Sequence, residues 1–249
     1  MQRYFLEVAY NGKRYSGFQI QDNASTIQSE VEKALAVLFR QPFGLTGSSR
    51  TDAGVHALQN FFHFDTDIVF ESRQLYNLNA ILPFDIAAKA IYKVNDQAHC
   101  RFHATSRQYK YFLYKEKDPF LYQKAWHYPF SIDEDLLHQA AAIVKEYHDF
   151  TSFSKRNTQV KTFNCDILLS SWSREENCLV YTVEANRFLR GMVRGLVSTM
   201  LKVARKSITP EQFREIIEQR NCTNADFAAP PHGLYLVKVN YPDGVIFTQ

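Results

Sequence analysis

The chain has 249 residues, of which 45% are hydrophobic and 22% are charged, and its formal net charge is +3. This ordinary globular composition excludes a disordered tail, a collagen-like fibre and a low-complexity scaffold. No apolar run approaches the ~18 residues of a membrane helix, and the early carboxylate of Glu7 argues against a secretory signal. The four cysteines are dispersed and form no CxxC pair, so we expect no metal, no disulfide framework and a cytoplasmic location.

Strands and helices alternate in the first half of the chain. Apolar and aromatic runs predict three strands, over residues 3–10, 58–64 and 86–94. Ser25 followed three residues later by Gln28 is typical of a capping box, and apolar residues at helical spacing follow it. A second helix is predicted over residues 72–82.

The second half repeats this pattern. Strands are predicted over residues 108–116, 161–173, 178–185 and 234–239. Helices are predicted over residues 133–147 and 187–206. Thr209 and Gln212 flank Pro210 in the pattern that begins a third helix of this half.

These elements predict an α+β fold with two antiparallel or mixed sheets, each backed by helices. Helices and strands do not alternate strictly and hairpin-like pairs occur, which disfavours a doubly wound parallel sheet. We place an N-terminal half at residues 1–105 and a C-terminal half at residues 106–249. No flexible linker marks this boundary in the sequence.

Basic residues are concentrated in three stretches, at residues 101–117, 155–161 and 187–206. No acidic residue occurs from Ala185 to Lys206, and the spacing of Arg187, Arg190 and Arg194 predicts that they share one helix face. A solvated amphipathic face explains such a run, and so does a surface that follows the phosphates of a nucleic acid. The sequence leaves both explanations open.

A loop of small residues holds the most distinctive motif. Residues 50–57 read RTDAGVHA, so an arginine, an aspartate and a histidine stand within seven positions. One interpretation is a plain turn, in which Asp52 bonds its own backbone and Gly54 adopts a positive φ. The other is a carboxylate displayed between strands as a nucleophile or base.

The RTDAGVHA motif resembles that of the tRNA pseudouridine synthase A family. The resemblance continues in order along nearly the whole chain, through residues 10–12, 15–19, 26–28, 82–83, 102–104, 109–111, 149–153, 188–194 and 233–236. Two residues depart from the family pattern: Asn11 stands where Asp is usual, and Ser49 stands where Gly is usual. If position 49 requires a positive φ or a close approach of RNA, Ser49 would be strained.

The resemblance implies an isomerase without cofactors that converts uridine to pseudouridine at positions 38, 39 and 40 of the tRNA anticodon stem-loop. It also implies two similar halves with sheets joined side by side, helices on one face and an active-site cleft between the halves. The partners it implies are tRNA and a second copy of the chain, in a homodimer.

The resemblance implies roles for particular residues. Asp52 is expected to be the nucleophile, Arg50 to contact the nucleic acid where the target nucleotide leaves the stack, Tyr109 to stack on the uracil, and Leu234 to line the site. We predict that Arg194 pairs with the Asp52 carboxylate, because a nearby arginine favours its ionised form; the alternative is a phosphate contact. His56 and Thr51 are expected to be structural.

Two functions from other classes remain as alternatives. A catalytically silent RNA-binding protein would use the same basic surfaces without chemistry, although the intact Asp52 argues against it. A small-molecule hydrolase would pair Asp52 with His56 and would need a compact apolar pocket.

Overall fold

The structure is a computed structural model that describes residues 1–70, 72–155 and 160–246. Within these residues the chain forms five α-helices and nine β-strands, and it divides into two compact units. One unit comprises Met1–Thr105 together with the residues from Leu236 onward, and the other comprises Ser106–Tyr235. The coexistence of helices with antiparallel strands confirms the predicted α+β class.

The first unit is built around its N-terminal strand. Strand β1 (Gln2–Tyr10) pairs antiparallel with β3 (His56–Thr66) on one side and with β4 (Ile86–Lys93) on the other, while the short β2 (Thr46–Gly47) pairs antiparallel with β3. Helices α1 (Ile27–Phe39) and α2 (Ser72–Ile81) complete the unit. Its fully buried core includes Leu6, Val8, Val31, Leu35, Phe62 and Leu78.

Helix α1 has a capping box one residue later than the sequence predicted. The N-cap is Thr26, whose Oγ1 accepts from the Ser29 N–H at 3.2 Å, while Ser29 Oγ accepts from the Thr26 N–H at 3.0 Å. The predicted Ser25–Gln28 box is therefore wrong. The Gln28 amide instead donates to Leu45 O at 2.8 Å, which ties α1 to the chain that follows it.

The second unit has a central strand with a partner on each side. Strand β8 (Cys178–Ala185) pairs antiparallel with β5 (Ser106–Tyr114) and with β7 (Ile167–Glu175), and the short β6 (Trp126–His127) runs parallel to β5. Its helices are α3 (Glu134–Val144), α4 (Met192–Ala204) and α5 (Pro210–Glu218). The capping box predicted between Thr209 and Gln212 is confirmed.

Strand β7 begins later than predicted, because residues within 161–166 form hydrogen bonds with the segment at residues 148–149 instead of with β8. The Cys165 N–H donates to His148 O at 2.8 Å, and Asp149 forms an isolated bridge with Asn164. These contacts hold the segment against the loop after α3, so the ladder with β8 starts only at Ile167.

Helix α4 also begins later than predicted, and this corrects the expected arginine face. Its N-cap is Gly191, with a φ of +78°, so Arg187 and Arg190 precede the helix. The carbonyl of Arg190 accepts from the Lys155 N–H at 3.0 Å instead of joining the helix. Only Arg194 lies on α4, and the predicted common helix face of the three arginines is wrong.

The last strand, β9 (Leu234–Asn240), leads into residues that pack with the first unit. The Tyr241 ring lies 5.5 Å from Phe5 and 5.2 Å from Phe61, and its hydroxyl donates to Cys100 O at 2.6 Å. The sequence assigned these residues to the C-terminal half because they follow it along the chain. Their side chains and hydrogen bonds instead belong to the core of residues 1–105.

Among the described residues no helix is long and apolar enough to cross a membrane, and the longest α-helices have 13 residues.

The fully buried Ser152 closes the C-terminal end of α5, where helix carbonyls lack partners. Its Oγ donates to Ile216 O and accepts from the Asn221 N–H at 2.9 Å. We predict that Ser152→Ala lowers the free energy of unfolding by about 1 kcal/mol, since two partly buried backbone groups lose their partner. Urea unfolding measures this, with the exposed Ser173→Ala as control; equal effects of the two substitutions would contradict the assignment.

Candidate functional site

Asp52 lies in a tight turn between β2 and β3. The Val55 N–H donates to Asp52 O at 3.1 Å, and Gly54 has a φ of +78°, as the sequence predicted for a turn. The aspartate is half-buried, so its side chain remains partly accessible to solvent. The turn that carries it is closed by the Val55–Asp52 backbone hydrogen bond.

Two glycines press against this turn from the N-terminal part of the chain. A Cβ on Gly12 would lie 1.9 Å from Val55 O, and a Cβ on Gly17 would lie 3.0 Å from Thr51 O. Gly17 also has a φ of +104°, which residues with a side chain rarely adopt. The Phe18 N–H donates to Thr51 O at 3.1 Å. The backbone on both sides of Asp52 is therefore held by direct backbone contact.

Hydrogen bonds among buried hydroxyl and amide groups also fix the Asp52 turn. Thr51 Oγ1 and the Tyr10 hydroxyl are 2.8 Å apart. The Asn60 amide donates to the Tyr10 hydroxyl at 3.1 Å and to Ser49 O at 2.8 Å. These polar groups are buried and bonded to one another, which favours a single loop geometry. Thr51 thus has the structural contacts that the sequence interpretation expected.

His56 contributes to the packing of the glycine loop. It is 2% exposed, and its Nδ1 accepts from the Gly12 N–H at 3.2 Å. A ring nitrogen occupied in this way is not available as a base, so the contact disfavours a hydrolase in which His56 activates Asp52.

The two departures from the family pattern differ in their local contacts. Asn11 Oδ1 accepts from the Lys13 N–H at 3.1 Å, a contact that an aspartate would make equally well. Ser49 is not among the residues with a positive φ, so strain from that source is absent, but its buried hydroxyl has no hydrogen-bond partner among the described residues.

Arg50 is exposed and lines a cavity of about 200 Å³. The cavity is bounded by β2, by the start of α1 and by the turn that follows β4. His99, Arg101 and Phe102 of that turn also line it. The sequence pointed to Arg50 and Arg101 separately as basic residues, but it did not show that they face one cavity.

The other three predicted site residues lie in the second unit. Tyr109 on β5 is 8% exposed, and its ring meets Phe188 edge-to-face at 5.0 Å. Leu234 is 7% exposed and is the first residue of β9. Arg194, half-buried in the first turn of α4, donates from Nε to Ala229 O at 2.6 Å.

Arg194 belongs to a set of groups that fix the segment before Leu234. Ser198 Oγ accepts from the Ala229 N–H at 2.7 Å, and the Tyr111 hydroxyl donates to Pro230 O at 2.8 Å. A Cβ on Gly233 would lie 2.7 Å from the Tyr111 ring. Tyr111 lies within the matched residues 109–111 and Ser198 lies in no motif, but the contacts of both with residues 229–230 arise only from this packing.

His63, His99 and Cys100 form a cluster whose ligand atoms lie within 4.8 Å of one another. Burial, with the nearby His99 and Arg3, lowers the pKa of His63 to about 4. His99 Nδ1 accepts from the Arg101 N–H at 3.1 Å and from the Phe102 N–H at 3.4 Å. In the neutral ring the proton then sits on Nε2, which leaves neither nitrogen a lone pair for a cation. The cluster does not fit a metal; it is a hydrogen-bonded support for the turn.

Comparison with known proteins gives a consistent result over nearly the full chain. A family model described as tRNA pseudouridine synthase matches residues 146–242. A protein of Parabacteroides distasonis named tRNA pseudouridine synthase A is 44% identical over 248 residues, covering 98% of this chain and 97% of the relative. The chain belongs to the tRNA pseudouridine synthase A family.

Further members of the family match over similar lengths. The Bacteroides thetaiotaomicron protein of the same name is 43% identical, covering 98% of this chain and 93% of the relative. The Staphylococcus saprophyticus protein is 34% identical, covering 95% of this chain and 90% of the relative. Family membership makes the chain an isomerase of the pseudouridine synthase class.

We predict that Gly12→Ala lowers the free energy of unfolding by at least about 1–3 kcal/mol, because the added Cβ meets Val55 O at 1.9 Å and forces the backbone apart. Hydrogen exchange at the Val55 amide should accelerate with it, since this amide closes the Asp52 turn. Gly44→Ala is the matched control, as its Cβ would have no neighbour within 4 Å. Equal melting temperatures for Gly12→Ala and Gly44→Ala would contradict the claim that the Gly12–Val55 contact stabilises the fold.

Proposed function

We propose that this chain isomerises uridine to pseudouridine at positions 38, 39 and 40 in the anticodon stem-loop of tRNA. The observation that carries the proposal is the Asp52 turn, which backbone contacts from Gly12 and Gly17 hold in place within the RTDAGVHA motif. Relatives named tRNA pseudouridine synthase A that match over 95–98% of the chain support it.

The reaction breaks an N-glycosidic bond, rotates the base and rejoins it through carbon. It involves no net redox change, so the proposal includes no cofactor. Asp52 is the nucleophile and attacks either C1′ of the ribose or C6 of the uracil. A carboxylate on a backbone that cannot shift is suited to this role, because reaction rates depend steeply on the position of the attacking atom.

The target base must leave its stack to be reached. In the proposal, Arg50 occupies the vacated space or contacts the phosphate, and Tyr109 stacks on the uracil. Leu234 supplies an apolar wall behind the base. The arrangement of the two halves around one cleft belongs to this proposal too.

Arg194 is proposed to pair with the Asp52 carboxylate. Its Nε is engaged by Ala229 O, which orients the planar guanidinium and fixes the direction in which its other nitrogens can donate. A guanidinium stays charged even when partly buried, so it can stabilise an ionised nucleophile in a dry site. The alternative role is a contact to a phosphate.

The proposed partners are tRNA and a second copy of the chain, in the cytoplasm. No single basic stretch of the sequence is long enough to follow a whole tRNA, and a two-fold dimer is the commonest way to extend such a surface. Sedimentation of the purified chain measures this oligomeric state directly.

Asp52→Asn is expected to abolish pseudouridine formation in unmodified tRNA transcripts while leaving tRNA affinity nearly unchanged, because an amide cannot act as the nucleophile. Tritium release from C5-labelled uridine measures the reaction. Asp135→Asn, at an exposed position of α3, is the matched control and should remain active.

Activity of Asp52→Asn within tenfold of wild type would remove Asp52 as the nucleophile. A wild-type chain that binds tRNA but releases no tritium would instead identify a silent RNA-binding protein.

Arg194→Lys is expected to reduce turnover far more than tRNA affinity, because lysine cannot reproduce the planar, two-pronged donor. Single-turnover rates and binding constants over a range of salt concentrations separate the two effects. Arg174→Lys, which changes an exposed ion pair with Glu134, is the control. Normal turnover with weaker binding and a shallower salt dependence would assign Arg194 to a phosphate contact.

A further inference from the structure

The segment from His99 to His103 is a turn held by its own hydrogen bonds. The His103 N–H donates to His99 O at 3.0 Å, and the His99 N–H donates to His103 Nδ1 at 3.1 Å. His99 Nδ1 accepts the N–H groups of both Arg101 and Phe102. Below it, Cys100 is fully buried and its thiol donates to Thr46 O. The backbone that carries Arg101 and Phe102 is therefore fixed before any ligand arrives.

This rigid turn presents an aromatic ring and a guanidinium to solvent. Phe102 is 72% exposed although it is a large apolar side chain. The Arg101 guanidinium carbon lies 5.7 Å from the centre of that ring, and the His99 ring lies 4.2 Å from it. Exposed aromatic rings beside cations are the usual platforms on which proteins stack unpaired bases.

The same turn forms one wall of the cavity that Arg50 lines. At about 200 Å³ the cavity is smaller than the ~300 Å³ at which pockets for whole small molecules begin. The cavity therefore has room for only one part of a larger ligand. Because Arg50 and Arg101 line it, that part is expected to be anionic. A nucleic-acid chain meets both conditions, because each nucleotide carries one phosphate and one flat base.

We propose that Arg50, Arg101 and Phe102 form a subsite for one nucleotide of the tRNA other than the uridine that is isomerised. Its base stacks on Phe102 and its phosphate is held by Arg101. Arg50 then takes the phosphate contact, rather than the vacated space, of its two proposed roles. The subsite rests on the proposed function. Arg50 and Asp52 are two residues apart, which limits their Cα separation to ~7 Å. The bound nucleotide therefore lies close in space to the target.

Binding of fluorescently labelled, unmodified tRNA to Phe102→Ala tests the subsite. The dissociation constant should rise by roughly 5- to 100-fold, the range for loss of one stacked base, while the single-turnover rate at saturating enzyme stays close to wild type. Phe102→Trp should restore affinity because it keeps a stacking face, and Phe102→Leu should not. Arg101→Gln should weaken binding and reduce the salt slope by about 1.

The chain offers a matched control for the aromatic ring. Phe130 is 47% exposed and also lies beneath a guanidinium, that of Arg205 at 4.2 Å, but it does not line the cavity. Phe130→Ala should bind tRNA like wild type. Melting curves establish that the variants are folded, which is expected because the substituted rings are solvent-exposed.

Wild-type affinity in Phe102→Ala, or full affinity in Phe102→Leu, would overturn the subsite. The wild-type chain is assayed first for pseudouridine formation in the same tRNA. Its inactivity would remove the proposed function, whereas an active wild type with unaffected Phe102 variants would remove the subsite alone.

Discussion

The contact between Gly12 and the carbonyl of Val55 is the constraint on which the rest of the candidate site depends. It leaves no room for a side chain, so two backbone segments distant in the sequence lie in direct contact. Gly17 repeats the arrangement on the other side of the turn. The backbone that carries the Asp52 carboxylate is thus held in place by the loop that follows strand β1, which favours a fixed position of the attacking group.

In the second unit, polar side chains rather than glycine contacts fix the irregular segment before Leu234. The irregular segment before Leu234 has backbone groups that no helix or strand satisfies, and Arg194, Ser198 and Tyr111 bond to them. A buried backbone group without a hydrogen-bond partner destabilises the fold. The three side chains supply partners for the backbone of residues 229–230, which lie outside the helices and strands. Arg194 accordingly combines a structural bond through Nε with its proposed role toward Asp52.

Most helices and strands could be predicted from the sequence, because the spacing of apolar residues shows which face of each element is buried. The capped start of α5 at Thr209 and the positive φ of Gly54 were predicted from local residue chemistry. The start of α4 was not, since a glycine at a helix entrance and a glycine inside a helix look alike in sequence. The Asp52 motif was found by its resemblance to a family, whereas the turn at His99 and its shared cavity with Arg50 depend on tertiary contacts that leave no local pattern.

The placement of Tyr241 against Phe5 and Phe61 makes the first unit discontinuous along the chain, while the second is one unbroken segment. During synthesis the second unit is complete before the residues that finish the first have left the ribosome. Domains tend to fold as units in the order in which they emerge. The N-terminal unit, which carries Asp52, therefore has part of its aromatic core uncovered until Tyr241 has been synthesised.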